Sequence, residues 1–220
     1  MQYNNIAPIV SGLDPDLTER LTSRRGLFSS TAMKLGALAS APLVLAFASQ
    51  EVFGQELPAG IVDVLKFALT LEHVEDAFYR SGLDASGLIP AQYFDIFNTI
   101  SVHEAAHVAF LKSALGSQAF ERPALDLTAG GTYADALTNF DTYLTLSQTF
   151  EDLGVAAYKG QAANLIESDA ILTAALQIHS VEARHAAAVR RIGGKPAWDS
   201  AFDEPMTKEE VLAAATPFLA

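Results

Sequence analysis

Two short segments of the sequence pair a glutamate with a histidine three residues later. They are Glu104–His107 and Glu182–His185, and each lies in a stretch whose apolar spacing is typical of a helix. Residues three apart share one face of a helix, so both side chains of a pair can hold the same ion. Carboxylate oxygens and imidazole nitrogens are ligands of divalent transition metals. Each pair therefore predicts half of a metal site, although a single Glu-x-x-His is a weak signal.

The two halves of the chain repeat this arrangement. Glu104 and Glu182 are separated by 78 residues. Each half has one further glutamate, Glu72 in the first and Glu151 in the second, and these two are separated by 79 residues. Two helical hairpins would therefore align to within one residue. The repeat predicts a set of two carboxylate–imidazole pairs and two further carboxylates, namely Glu72, Glu104, His107, Glu151, Glu182 and His185.

Three neighbouring polar residues compete for a place in this set. Glu75 is a rival to Glu72, but the repeat places Gly154 at the equivalent position, so Glu72 is preferred. His73 and His103 are each adjacent to a candidate ligand and point about 100° away around the helix. We therefore expect both histidines to lie outside the site, with His73 at the surface.

A tyrosine follows each of the two unpaired glutamates. Tyr79 lies seven residues after Glu72, and Tyr158 lies seven residues after Glu151. Seven residues is about two helical turns, so each pair shares a face. The tyrosines are either hydrogen-bond partners of the metal-binding carboxylates or core aromatic residues with a solvated hydroxyl.

The spacing of apolar residues and of glycine predicts four long helices. We expect them at about 60–81, 91–115, 133–166 and 169–192. Short links join the first helix to the second and the third to the fourth, and a long irregular stretch lies between the hairpins. The predicted fold is all-α, a four-helix bundle with one long crossover between helices two and three. A short C-terminal helix follows, because Thr207 and Glu210 form a capping-box pattern.

The composition excludes several classes of function. The 220 residues include no cysteine, so disulfides, zinc–thiolate sites, iron–sulfur clusters and thiol catalysis are absent. The formal net charge of −12 argues against nucleic acid as a partner. Half of the residues are hydrophobic, which is sufficient for one domain with its own core.

The first 48 residues have the pattern of an export signal. Arg24 and Arg25 precede a moderately apolar run that ends in an Ala-x-Ala-like cleavage site at Ala46–Ala48. We therefore assign residues 1–48 to a twin-arginine-type signal and residues 49–220 to the bundle domain. This interpretation predicts passage through the twin-arginine translocase to a periplasmic or other extracytoplasmic location. An uncleaved membrane anchor is the less favoured alternative.

The six-ligand pattern over about 60–192 resembles the ferritin-like di-metal carboxylate superfamily. The twin-arginine leader, the segment LEHVEDAFY and the closing FDEPMTKEEVLAAATPF resemble, more narrowly, exported bacterial ferritin-like domain proteins related to plant desiccation-related proteins. The resemblance implies that Glu104 and Glu182 bridge two metal ions and that the two paired histidines each bind one of them. Glu72 and Glu151 would be the terminal carboxylates.

The resemblance leaves three functions open. The first is a di-metal protein, with iron favoured and manganese as the alternative metal, that reacts with oxygen or peroxide and protects against oxidative or iron stress. The second is a manganese catalase-like enzyme. The third is a non-enzymatic, metal-stabilised stress or desiccation-related protein. A rubrerythrin is excluded by the lack of cysteine, and the sequence leaves assembly into a homo-oligomer open.

Overall fold

The computed structural model describes residues 57–198 and 200–220, and the part of the chain that it describes is helical. Four long helices are followed by a short one. They are α1 (Ala59–Asp84), α2 (Phe94–Leu115), α3 (Phe140–Gln161), α4 (Asp169–Ile192) and α5 (Lys208–Ala215). The predicted all-α class, with four long helices and a short C-terminal helix, is confirmed.

The helices pack in two antiparallel hairpins, α1 with α2 and α3 with α4. Two apolar layers show their directions. One layer contains the beginning of α1 and the end of α2, and it also contains the beginning of α4 and Tyr158 near the end of α3. The other layer contains the opposite ends of the same helices. Since α2 ends in the first layer and α3 begins in the second, the connection between them runs the length of the bundle.

The beginning of the third helix differs from the prediction. Residues 133–138 form successive turns, and α3 begins only at Phe140, after Asn139 accepts a hydrogen bond from the backbone N–H of Asp141. Local hydrogen bonds, such as Tyr133 N–H to the Thr128 carbonyl, satisfy the backbone of the preceding segment. The Asn139 side chain caps the first turn of α3, which prevents the helix from beginning earlier in the sequence. The spacing of apolar residues alone did not reveal this cap.

The short C-terminal helix lies against the outer side of α1 and α3. The Thr207–Glu210 capping box is present, with both reciprocal hydrogen bonds. Apolar residues of α5, including Val211, pack on Phe67 and Leu153. The preceding segment approaches α3 so closely that a Cβ at Gly160 would collide with the carbonyl oxygen of Met206. Gly160 is therefore needed for this contact.

Two other expectations are the twin-arginine export signal and, as its alternative, an uncleaved membrane anchor. The twin-arginine segment and the alternative anchor lie outside the described residues. Within the described ranges, none of the helices combines the length and the apolar character required to cross a membrane.

Candidate metal centre

The bundle contains a polar layer between its two apolar layers. All six residues of the predicted set lie there and are buried, and they form two overlapping groups of four that share Glu104 and Glu182. The first group adds Glu72 and His107, and the second adds Glu151 and His185. Within each group, one ligand atom from every residue lies within 4.8 Å of the others. Each of the four long helices contributes to this layer.

The two histidines face the carboxylates in equivalent ways. His107 Nδ1 lies 3.2 Å from a Glu72 oxygen, 3.1 Å from Glu104 and 3.0 Å from Glu182. His185 Nδ1 lies 3.0 Å from a Glu104 oxygen and 3.2 Å from Glu151. One ring nitrogen cannot make good hydrogen bonds to three carboxylates at once. An ion about 2.1 Å from two ligand atoms at a right angle would hold them about 3.0 Å apart, close to the spacing seen here.

Several of these buried atoms lie within ion-pair distance of one another but make no hydrogen bond of acceptable geometry within the described residues. They are Oε1 of Glu104, Oε2 of Glu151, both carboxylate oxygens of Glu182 and Nδ1 of His185. A buried polar atom without a partner is costly, and a carboxylate more so. Five of the seven such atoms in the described residues belong to the two groups of four, and the other two are on Tyr143 and His179. The donor set therefore fits a pair of metal ions.

Burial and mutual repulsion give this cluster an unusual protonation pattern without metal. Burial raises the pKa of Glu72 to about 8 and that of Glu151 well above its usual value. Burial also disfavours ionisation of Glu104 and Glu182, but the adjacent imidazoles hold the pKa of both carboxyls below the ordinary value. Glu72 and Glu151 therefore favour the neutral form, and Glu104 and Glu182 favour the ionised form.

The histidines complete the charge balance. Burial opposes a charge on His107, but Glu72 and Glu104 outweigh it and raise its pKa well above normal. The carboxylates around His185 likewise outweigh burial and raise its pKa to about 12. The two imidazolium rings therefore neutralise the two ionised carboxylates. The four bound protons supply the same positive charge that two divalent ions would supply.

The two tyrosines bond across the bundle. Tyr79 on α1 donates a 2.5 Å hydrogen bond to Glu151 on α3, and Tyr158 on α3 donates one of 2.5 Å to Glu72 on α1. Burial and the accepting carboxylate raise the pKa of both phenols well above the usual value, so both remain donors. Each tyrosine thereby orients the unpaired carboxylate of the opposite half.

The expectation that His73 lies at the surface was wrong. His103 lies outside the two groups of four, as expected, but it contacts one of their histidines. His103 lies beside the cluster, with its Nδ1 2.9 Å from Nε2 of His185 and the two rings stacked. His73 is buried, and its Nε2 bonds the carbonyl oxygen of Phe120 in the long connection. Spacing along a single helix did not reveal either contact, because both involve a segment distant in sequence.

Comparison with known proteins agrees with this geometry. Residues 60–195 match the family model described as a ferritin-like domain. A search of curated protein sequences finds no match. The matched range includes the four long helices, except for the first residue of α1, and all six residues of the polar layer, and it covers more than half of the chain. The chain therefore belongs to the ferritin-like domain family.

Proposed function

We propose that this chain is an exported di-metal carboxylate protein that reacts with oxygen or peroxide and protects the cell from oxidative or iron stress. The observation that carries the proposal is the buried pair of Glu–His groups, whose oxygen and nitrogen atoms converge and leave five of those atoms without a hydrogen bond. The proposed ligands are the six residues of the polar layer, with Glu104 and Glu182 shared between the ions. Export is supported by the Arg24–Arg25 segment and its apolar continuation.

The donor set favours iron, with manganese as the alternative metal. Hard carboxylate oxygens combined with imidazole suit these metals better than copper, and no thiolate is available for zinc. Four carboxylates and two neutral imidazoles would balance two divalent ions. When bound, such ions supply electrons and open coordination positions to oxygen or peroxide. The protein orients the ligands, through Tyr79 and Tyr158, and excludes water with its two apolar layers.

A small apolar cavity beside this layer is consistent with oxygen as a reactant. Its volume is about 20 Å³, and its lining includes Leu71, Phe110 and Tyr158. Apolar cavities of this kind stay dry and accept small apolar molecules. The hydroxyl of Tyr158 bonds Glu72, so the cavity wall leads directly to a proposed ligand.

The experiment loads the purified protein with ferrous iron and measures metal stoichiometry, absorbance of oxidised iron, and consumption of oxygen and peroxide. We expect two ions per chain and oxidation faster than that of free iron. Glu104→Ala removes a shared carboxylate, so both stoichiometry and oxidation should fall. Unchanged peroxide and oxygen, or full activity in Glu104→Ala, would contradict the proposal.

A second candidate is a protein whose metals only stabilise the bundle. The burial of several carboxylates in one layer favours it, because metal removal leaves that layer dependent on protons for its charge balance. In that case, removing the metal lowers the melting temperature, while the loaded protein consumes neither oxygen nor peroxide. Elemental analysis of natively purified protein separates iron from manganese, and manganese with oxygen release from peroxide would favour catalase-like activity.

A further inference from the structure

Glu75 is a buried carboxyl that the six-residue set does not use. It lies one turn after Glu72 on α1 and is only 4% exposed. No hydrogen bond or ion pair joins it to another residue in the described part of the chain. A buried carboxyl without a partner is costly to retain, so its position calls for a physical explanation.

The space around Glu75 is defined by a glycine on the opposite helix. A Cβ at Gly154 would lie 3.4 Å from Oε1 of Glu75 and 3.2 Å from Oε2 of Glu182. The missing side chain therefore leaves room in which the Glu75 carboxyl lies near a shared carboxylate of the proposed centre. A cavity of about 10 Å³, lined by Glu75, Gly154 and Ala215 among others, adjoins the same place. It has room for about one water molecule beside this carboxyl.

Glu75 and Gly154 are also the point at which the two halves of the site differ. The repeat aligns Glu72 with Glu151 and Tyr79 with Tyr158, but it aligns Glu75 with Gly154. A fifth carboxyl thus lies beside the centre on one side, outside the two groups of four, and the equivalent position on the other side has no side chain. Four carboxylates already neutralise two divalent ions, so a fifth would add an uncompensated negative charge.

A more highly charged pair of ions changes this balance, because trivalent ions carry positive charge that four carboxylates do not neutralise. We propose that Glu75 is a fifth carboxylate of the centre, which binds when the metal pair is trivalent and not when it is divalent. This inference rests on the proposed di-metal site and deepens it by assigning a charge-selective ligand. Burial and repulsion from Glu182 and Glu104 raise the pKa of Glu75 well above its usual value, in agreement with a neutral acid in the metal-free protein.

Two redox-inert probes test the assignment on the full protein. Manganese(II) is the divalent probe, and its free concentration is measured by electron paramagnetic resonance. Terbium(III) is the trivalent probe, and its luminescence on tyrosine excitation reports binding. Luminescence lifetimes in light and heavy water count the water molecules on the ion. In Glu75→Gln, we expect terbium affinity to fall at least about tenfold and the water count to rise by about one, while manganese affinity stays within about threefold.

The control is Asp76→Asn, which removes a carboxylate from the next position of α1. Asp76 pairs with Arg80 rather than with the cluster, so neither affinity should depend on the charge of the ion. Gly154→Ala is a second variant, because its methyl group would occupy the space beside Glu75 and Glu182. Because that methyl group also approaches the shared ligand Glu182, we expect Gly154→Ala to weaken the binding of both ions, and of terbium more than of manganese. Since glutamine has nearly the same shape as the neutral acid, metal-free Glu75→Gln should retain its circular dichroism and melting temperature.

The outcomes separate this inference from the function that it rests on. A wild type that binds neither ion would overturn both proposals. A wild type that binds both ions, with Glu75→Gln indistinguishable from Asp76→Asn, would overturn only the role of Glu75. Equal losses of manganese and terbium affinity would also overturn it, because the contribution of Glu75 would then not depend on the charge of the ions.

Discussion

Loading the centre with two divalent ions should release about four protons per chain at pH 7. In the metal-free protein, Glu72, with a pKa of about 8, and Glu151 each hold a proton. His107 and His185 hold two more, because the surrounding carboxylates raise the pKa of both rings. All four groups must lose that proton to bind a metal ion. Exchange of four protons for two divalent ions keeps the buried charge constant and so avoids the cost of an uncompensated charge.

The sign and size of the pH dependence follow from this competition. Protons and metal ions bind the same atoms, so affinity must rise with pH. While all four groups are protonated, the overall association constant for two ions should rise by about four decades per pH unit. The slope should decrease as the pH passes about 8, where Glu72 loses its proton without metal.

Isothermal titration calorimetry with manganese(II) measures the release directly. Titrations in buffers of different ionisation enthalpy give the number of protons released as the slope of observed heat against buffer enthalpy. Glu121→Gln is a suitable control, since Glu121 is exposed and pairs with Lys112 outside the centre. It should release the same number as the wild type. A release of fewer than about two protons from a protein that binds two ions would refute the assigned protonation states.

Three further outcomes are expected. The free energy of unfolding of the metal-free protein should fall as the pH rises from about 5 to about 8. The fall should be about 1.4 kcal/mol per pH unit for each proton that the folded state retains and the unfolded state has lost, and urea denaturation at each pH measures it. Metal-loaded protein should lack this decline, and a flat metal-free profile would contradict it. His103→Ala should weaken binding of one of the two ions about tenfold, because His103 contacts the outer nitrogen of His185; equal binding in calorimetry would contradict this role. Tyr79→Phe and Tyr158→Phe should each lower the unfolding free energy of the loaded protein by about 1–3 kcal/mol, because each leaves a buried carboxylate oxygen without its donor. A negligible change in both variants would show that the phenols act only as core aromatics.

Local sequence patterns were sufficient for most of the fold. Three signals located the helices: the spacing of apolar residues, glycines at helix ends and the Thr207 capping box. Each signal depends on interactions within a single helix, and a short segment of sequence largely determines those interactions. The bounds of α4 and the capped α5 therefore agree with the prediction. The third helix was placed too early, because Asn139 and the turns before it compete with helix formation over a few residues that the apolar spacing does not distinguish.

The candidate site was also predictable from the sequence only in part. Two Glu-x-x-His pairs and a repeat of 78 or 79 residues were sufficient to select six side chains, because helical periodicity and hairpin alignment are properties of the sequence itself. Only the tertiary structure places Tyr79 on Glu151 and His103 on His185. It alone shows that Glu75 is buried opposite Gly154. These contacts depend on how far apart the helices pack and how each is rotated, which no spacing within a single helix encodes.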